Sequence, residues 1–272
     1  MAVKFYPDEH KYVSIDEEMA IDWVSVTTML HFFREPFDEM KMSEISSKGK
    51  NPKYKGKKPE DIRAIWKAEN LRAITLGSWY HDMREKDLLS CSQIDGARVV
   101  QIKEVDGVKV APDQKLTPGI YPEHFVYLLS KGVCGQADLI KVIDDEIHII
   151  DYKTNKEIKT EGYKGRNGVK KMLPPLQHLD DCNFNDYCLQ LSTYMYIMLK
   201  HNRYLKPGKM EIHHIKFGVE ELDENGYPIT SIDAMGEPVV LEIIPYEVPY
   251  LKNEVEKMLH IVSSNPEKFK KH

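Results

Sequence analysis

Two neighbouring apolar segments, residues 133–143 and 146–153, constrain the fold more strongly than any other feature. Runs of β-branched and apolar residues on either side of an Asp-Asp turn predict an antiparallel β-hairpin. In that hairpin, residues whose numbers sum to 289 face each other, so we expect Asp138 to face Asp151. Directly opposed side chains lie on one face of the sheet, with Cβ atoms about 4.5–5.5 Å apart. The sequence therefore predicts two adjacent carboxylates.

A lysine joins this pair, because Lys153 returns to the same face two residues beyond Asp151. Two carboxylates this close repel, and one keeps its proton unless a cation intervenes. Lys153 supplies one positive charge, and a hard divalent ion bound by oxygens supplies the rest. The alternative is a surface hairpin with a solvent-exposed ion pair. Asp151 argues against it, since its side chain lies on the same side of the strand as Ile147 and Ile149, and that side is expected to face inward.

The composition excludes several classes of protein. The chain has 272 residues, 42% of them hydrophobic and 30% charged, as in ordinary folded proteins. No run approaches the roughly 18 apolar residues of a membrane span, and the first residues lack the apolar core of a signal peptide. We therefore expect a cytoplasmic protein with no membrane partner. The four cysteines form no CxxC pair, so we expect no zinc site and interpret them as reduced thiols.

Charge is distributed unevenly along the chain. The net charge of −5 argues against a protein that coats nucleic acid non-specifically. Residues 48–58 nevertheless contain six lysines and no acid, whereas residues 219–256 contain ten acids and one lysine. The lysine segment is either a local phosphate-binding surface or a solvated loop, and both interpretations remain open.

Strands and helices alternate irregularly along the sequence, which predicts one mixed α/β domain spanning residues 1–272, with a core of about 61–218. We expect a central mixed β-sheet flanked by α-helices, with an N-terminal β-hairpin, and an exposed loop over residues 41–60. The predicted elements are the hairpin 3–16, a helix after Ser25 or Thr27, helices over 61–89, 187–200 and 250–262, and strands over 210–219 and 238–248.

Five short motifs in order resemble the PD-(D/E)XK nuclease superfamily, in the branch of the RecB-type nuclease domains. In the motif "GSWYH", Ser78 stands where the family usually has threonine. "HKY" and the "SVTTML" that follows it resemble the opening of phage-encoded and mitochondrial-type exonucleases of this branch. The motifs are "HKY" at 10–12, "GSWYH" at 77–81, "GQAD" at 135–138, "IIDYKT" at 149–154 and "QLSTY" at 190–194.

The resemblance implies a restriction-endonuclease-like core and a metal site. It implies no iron–sulfur cluster, because related nucleases that carry one have three cysteines in a tight C-terminal group, and here no cysteine follows the Cys182–Cys188 pair. Asp138 and Asp151 would bind Mg²⁺, with Mn²⁺ able to substitute, and Tyr152 would contribute its backbone carbonyl. His81 would be a further ligand; its alternative role is that of a core histidine bonded to a backbone carbonyl. Lys153 would position the attacking water and stabilise the transition state.

Other residues receive roles from the same resemblance, each with a plain structural alternative. Glu123 would act near the metal, or is a surface glutamate at the start of a strand. Gln190 and Tyr194 would brace the lysine and contact DNA, or Tyr194 is simply core. Ser25 and Thr27 would bind a DNA phosphate, or only cap a helix.

These roles together imply a metal-dependent DNA exonuclease or end-processing enzyme of recombination, repair or replication, such as a phage protein acting in the cytoplasm of its bacterial host. DNA ends or single-stranded regions are the expected partners, with a homo-oligomer or a replication or recombination protein as further expectations. The alternatives are an RNA endonuclease of the same superfamily and a catalytically inactive nucleic-acid-binding module.

Overall fold

A computed structural model describes residues 2–6, 11–15, 21, 23–165 and 168–264. The expected α/β class is confirmed, because a mixed sheet with parallel and antiparallel strands lies at the centre and helices flank it. The expected N-terminal hairpin is present as well, with its two strands paired antiparallel. In the described part of the chain, no helix combines the length and the apolarity needed to span a membrane.

The first third of the chain contains the hairpin and three helices. The turn of the hairpin, residues 7–10, lies outside the described residues. The first helix begins where the sequence predicts, and the Ser25 hydroxyl caps it by accepting the N–H of Thr28. The elements are β1 (Val3–Tyr6), β2 (Lys11–Ser14), β3 (Val24–Ser25), α1 (Val26–His31), α2 (Glu39–Ser47) and α3 (Pro59–Leu89).

Helix α2 corrects the expectation of a loop over residues 41–60. The Asp38 side chain caps this helix by accepting the N–H of Lys41, and Glu39 lies in its first turn. Among its residues only Ser43 is buried, so the helix carries no apolar stripe from which periodicity could reveal it. Its capping chemistry was the available signal.

Two small hairpins precede the central strands, and each turns at an Asp-Gly pair, the sequence typical of two-residue hairpin loops. The central hairpin then has the predicted bounds, with both strands ending as expected. The elements of this part are β4 (Gln93–Ile94), β5 (Ala97–Arg98), β6 (Glu104–Val105), β7 (Val108–Lys109), β8 (Gly119–Leu128), β9 (Val133–Ile143) and β10 (Glu146–Lys153).

The last part of the chain completes the sheet and covers it. A long helix and a closing helix lie where the sequence predicts them, separated by two strands of the central sheet. The elements are β11 (Lys164–Gly165), β12 (Gly168–Val169), α4 (Asn183–His201), β13 (Lys206–Phe217), β14 (Val219–Leu222), β15 (Pro228–Thr230), β16 (Val240–Glu247) and α5 (Lys252–Ser264).

The central sheet has the strand order β16-β13-β10-β9-β3, and β8 also pairs with β9. Strand β10 pairs antiparallel with β9 and parallel with β13. A parallel neighbour requires a crossover connection, and the segment containing α4 provides it. Strand β10 is therefore central, which agrees with its apolar sequence.

Strand β9 changes partner along one of its edges, and this change creates an opening. Strand β8 runs along one edge of β9 over its whole length. On the other edge, β10 pairs with residues 139–143 and β3 pairs with Val133 and Cys134. Residues 135–138, the "GQAD" motif, therefore lie between the two partners on that edge.

Helices bury both faces of the sheet. One core cluster joins Ile140, Ile147 and Ile149 of the sheet to α1, α4 and α5. A second cluster joins Leu139 and Ile150, which point to the opposite face, to α3. Since strand side chains alternate, Asp138 and Asp151 belong to the face covered by α4.

Candidate active site

The two aspartates of the hairpin lie side by side in the interior. Asp138 is 7% exposed and Asp151 is 1% exposed. The β9–β10 ladder has the predicted register, from Ile143–Glu146 to Leu139–Ile150, and it ends one pair before the aspartates. At that point, Oδ2 of Asp138 accepts the backbone N–H of Tyr152 at 2.6 Å. The carboxylate of Asp138 therefore ties the two strands together where the backbone ladder stops.

A histidine and a glutamate approach Asp138 from other elements. Nδ1 of His81, on α3, lies 3.5 Å from Oδ1 of Asp138 and 3.6 Å from Oε1 of Glu123. One ligand atom from each of these residues lies within 4.8 Å of the others. Helix α3 covers the opposite face of the sheet, so His81 meets the carboxylates at the opening beside β9.

Glu123 has a backbone conformation that is unusual for its residue type. Its φ of 44° places it in the left-handed region, which side chains other than glycine seldom occupy. Nε2 of Gln136 donates to Oε2 of Glu123 at 2.7 Å, so one carboxylate oxygen is held and the other faces His81. Such strain concentrates at functional sites.

Lys153 lies beside the second aspartate. Its Nζ is 2.5 Å from Oδ2 of Asp151 and 4.8 Å from the centre of the Tyr187 ring. Burial alone lowers the pKa of Lys153, but the carboxylates of Asp151 and Asp138 outweigh it, and the net shift is upward. The lysine is therefore a cation paired with Asp151, and it is not a general base at neutral pH.

Asp138 and His81 retain their protons more strongly than isolated groups do, since the pKa of each is raised. Burial and the neighbouring Asp151 raise the pKa of Asp138 to about 8. Burial lowers the pKa of His81, but Asp138 and Glu123 outweigh it and raise this pKa to about 9. Without a cation, Asp138 therefore holds its proton at neutral pH, and a bound cation would favour its ionised form.

The residues present fit a divalent metal ion. Three of them offer carboxylate oxygens and one offers an imidazole nitrogen, which are ligands that Mg²⁺ and Mn²⁺ accept. Oδ1 of Asp151 is buried and has no hydrogen-bond partner among the described residues, so it is an acceptor without a donor. Asp151 stands outside the mutually close group of His81, Glu123 and Asp138. The role of the Tyr152 carbonyl as a ligand stays a prediction.

Gln190 and Tyr194 lie on the face of α4 that covers the opening. Nε2 of Gln190 donates to the Tyr194 hydroxyl at 3.1 Å, and both residues are buried. A Cβ atom placed on Gly135 would lie 2.5 Å from Cε1 of Tyr194, so only glycine leaves room for this ring. Gly135 is therefore required by the close approach of α4 to β9. A contact of either α4 residue with DNA stays a prediction.

Tyr187, to which the sequence analysis assigns no role, lies over Lys153. Its hydroxyl donates to Oδ1 of Asn155 at 2.5 Å, and Asn155 in turn accepts a hydrogen bond from Nε2 of His214 at 2.6 Å through its backbone carbonyl. The chain just after the lysine is thus held from two sides. The spacing of Tyr187 three residues before Gln190 is the signal that places both on one face of a helix.

The glycine of the "GSWYH" motif also marks a close approach. A Cβ atom on Gly77 would lie 3.2 Å from Oγ1 of Thr154, the residue after Lys153. Helix α3 therefore crosses the carboxyl end of β10 at Gly77. One turn later, this crossing brings His81 to the carboxylates.

Ser25 and Thr27 occupy the start of α1. The Ser25 hydroxyl contacts the hydroxyls of Thr27 and Thr28 at 3.0 and 2.9 Å, and Ser25 is 4% exposed. Helix capping accounts for these contacts, and phosphate binding by Ser25 and Thr27 stays a prediction. His10 of "HKY" lies outside the described residues. Tyr12 lies near the site, since burial, Cys134, Glu123 and Asp138 together raise its pKa.

The lysine segment, residues 48–58, contacts the β14–β15 turn and also α3, where Nε1 of Trp66 donates to the Tyr54 hydroxyl at 2.9 Å. Nζ of Lys53 donates to the Gly226 carbonyl at 2.7 Å and lies 3.8 Å from the centre of the Tyr227 ring. The hydroxyl of Tyr54 contacts the hydroxyl of Tyr227 at 3.0 Å. The β14–β15 turn therefore holds the middle of the segment, and the described residues form no ion pair with its remaining lysines.

Comparisons with known proteins leave the family open. No protein-family model matches the chain, and no curated protein matches it.

Proposed function

We propose that this protein is a metal-dependent nuclease of the PD-(D/E)XK superfamily, most specifically a DNA exonuclease or end-processing enzyme. One observation carries the proposal. Two buried aspartates and a half-buried lysine occupy the end of a central hairpin, and His81 and Glu123 converge on one of these aspartates. Buried charges of this kind are costly in a folded protein unless they serve a ligand or a reaction.

His81, Glu123 and Asp138 would hold the metal ion, and Asp151 would direct its free oxygen to the same ion. The bound ion would polarise the scissile phosphate and lower the pKa of a water molecule. Gln136 supports this role by fixing one oxygen of Glu123. The backbone N–H of Tyr152 likewise fixes one oxygen of Asp138 and leaves the other for the ion.

Lys153 would position the attacking water and stabilise the charge that develops on the phosphate. Its ammonium group stays charged because the carboxylates hold its proton. A preorganised cation in a site of low dielectric stabilises a developing negative charge more strongly than the same cation in water. The ring of Tyr187 covers the ammonium on one side and restricts the directions in which it can donate.

The preference for DNA rests on the ordered motifs of the RecB-type branch, and the lysine segment adds a surface that suits phosphates. A panel of labelled substrates tests the proposal. Linear duplex, single-stranded DNA, closed circular DNA and RNA are each incubated with Mg²⁺, with Mn²⁺ and with EDTA, and a Lys153→Ala preparation controls for contaminating nucleases.

Each result of this panel has a definite meaning. We expect metal-dependent degradation of linear DNA, sparing of closed circles and loss of activity in the Lys153→Ala preparation. Equal cutting of circles would make the protein an endonuclease, and selective cutting of RNA would support the RNA endonuclease alternative. Binding of DNA without cleavage under any metal condition would overturn the enzymatic proposal and support an inactive binding module.

A further inference from the structure

A second concave site lies far from the candidate active site. A cavity of about 530 Å³ opens where the end of α4, the start of β13 and the start of α5 meet. Lys200, at the cavity, follows Tyr187, beside Lys153, by thirteen positions in α4. At 1.5 Å per residue, the two residues are roughly 20 Å apart along the helix. The proposed hydrolysis therefore makes no use of this cavity.

The wall of the cavity is apolar. It is formed by Tyr196, Leu199, Leu205, Pro207 and Tyr250. Three of these residues, Tyr196, Leu199 and Tyr250, are only partly buried and pack against the main core cluster, which fixes their positions. Because this apolar wall is preformed, an apolar side chain of a ligand can bind to it with little loss of conformational entropy in the protein.

The remaining lining residues are all cations. They are Lys200, Arg203, Lys206 and Lys252, and no carboxylate lines the cavity. Asp145 neutralises Lys206 at 2.5 Å, but no ion pair within the described residues involves the other three. Lys252 is the first residue of α5, an end at which the helix dipole disfavours a cation. An anion in the cavity would offset that repulsion.

We propose that this cavity binds an acidic peptide segment of a partner protein, one that carries an apolar side chain among its carboxylates. The apolar side chain would enter between the tyrosines, and the carboxylates would pair with Lys200, Arg203 and Lys252. Of these, Lys200 lies over the Tyr196 ring, 4.8 Å from its centre. Such a site is complementary to its ligand in both polarity and charge. The chain as a whole has a net charge of −5 and would repel an acidic partner, so the cations of this cavity provide a local exception.

A nucleic acid fits the same cavity less well. The lining offers hydrogen-bond donors but, apart from the tyrosine hydroxyls, no side-chain acceptors, so the amino groups of bases would lack partners. Tyr196 and Tyr250 are packed into the wall and are not free platforms for stacking.

Fluorescence anisotropy with the full chain in EDTA tests the inference. The probe is a labelled peptide of six aspartates followed by a C-terminal phenylalanine, and two comparison probes replace the phenylalanine by serine or the aspartates by lysines. The variant Arg203→Glu/Lys252→Glu reverses two exposed cations of the cavity. Lys86→Glu/Lys103→Glu is the matched control, because it reverses two exposed lysines elsewhere.

We expect the aspartate–phenylalanine peptide to bind saturably and more weakly at high salt. The cavity variant should weaken binding about tenfold or more, since each reversal replaces an attraction by a repulsion, while the control variant binds as the wild type does. Equal binding to the cavity variant would overturn the site. Equal binding of the serine peptide would overturn the apolar pocket, and a selective loss of oligonucleotide binding in the cavity variant would assign the cavity to nucleic acid instead.

Discussion

The ammonium group of Lys153 and the carboxylate of Asp151 lie 2.5 Å apart, on residues two positions apart in one strand. Strand alternation places both side chains on the same face, so the pair forms without any contribution from a loop. The lysine is thus held by the neighbouring acid before any substrate arrives. Preorganisation of this kind is what electrostatic catalysis requires.

Asp151→Asn and Lys153→Ala should each lower the rate of DNA cleavage by about 10²–10⁴-fold while DNA binding survives. Binding survives because phosphate contacts are distributed over many residues, whereas the chemistry is concentrated in this hairpin. Single-turnover cleavage and filter binding measure the two effects. Lys141→Ala is the control, since Lys141 lies on β9 but points to the opposite face. Near wild-type cleavage by either variant would mean that the site is assigned incorrectly.

His81→Ala should weaken the binding of Mn²⁺ by roughly tenfold or more, because it removes one of three converging ligands. Calorimetric titration measures the affinity, and a thermal melt in EDTA checks the fold. His178→Ala is a suitable control, because His178 is an exposed residue paired with Glu254 on the other side of α4. A His81 variant that binds metal normally but melts early would identify a structural histidine.

Gly135→Ala should lower the free energy of unfolding by about 1–3 kcal/mol, because the new methyl group would overlap the ring of Tyr194. Urea unfolding measures the loss. Gly165→Ala is the matched control, since its nearest neighbour would be 3.5 Å away, an ordinary contact. In the double variant with Tyr194→Leu, the smaller side chain should recover part of the loss. If the two changes were simply additive, the overlap would not be the cause.

Neutralising Lys55, Lys57 and Lys58 to glutamine should flatten the salt dependence of DNA binding, by about 0.7–0.9 in slope for each phosphate contact that is lost. These lysines have no ion-pair partner among the described residues, whereas Lys53 is engaged with Gly226 and Tyr227. Titrations over a range of salt concentrations measure the slope. An unchanged slope would return the segment to the interpretation of a solvated loop.

His214 should make stability depend on pH below neutrality. It is 1% exposed, its Nε2 bonds the Asn155 carbonyl, and its buried Nδ1 has no partner among the described residues. Burial lowers its pKa in the folded state, so the unfolded chain binds the proton more readily. Its contribution to stability is therefore complete above about pH 6.5 and decreases as the pH falls below that value.

The comparison of wild type with His214→Gln isolates this contribution, because other groups titrate equally in both proteins. Unfolding free energies at pH 5, 6, 7 and 8 should show a steeper decline in the wild type below pH 6.5. Parallel profiles would indicate that the imidazole gains its proton in the folded state without cost.

The central hairpin could be predicted from the sequence almost completely. Its strand bounds and its register follow from local apolar patterning, and that register places Asp138 beside Asp151. The end of the ladder was not predicted, because it depends on the side chain of Asp138 taking the N–H of Tyr152. The pattern of apolar residues cannot predict where a side chain replaces a backbone carbonyl as hydrogen-bond acceptor.

Contacts between distant elements were the harder part. The parallel pairing of β10 with β13 and the position of Tyr187 over Lys153 depend on where a long crossover returns. The left-handed conformation of Glu123 is likewise set by its surroundings, since glutamate has no preference for it. These features are products of tertiary packing, and no local propensity encodes them.

The parallel partner of β10 has a consequence for the synthesis of the chain. Strand β13 begins at Lys206, more than fifty residues after β10 ends at Lys153. Until the ribosome has released that segment, β10 is an apolar edge strand with unpaired backbone groups, and such edges attract other strands. A nascent chain halted before β13 therefore carries every ligand of the candidate metal site together with an edge prone to aggregation, and the last quarter of the sequence provides the strand that covers this edge.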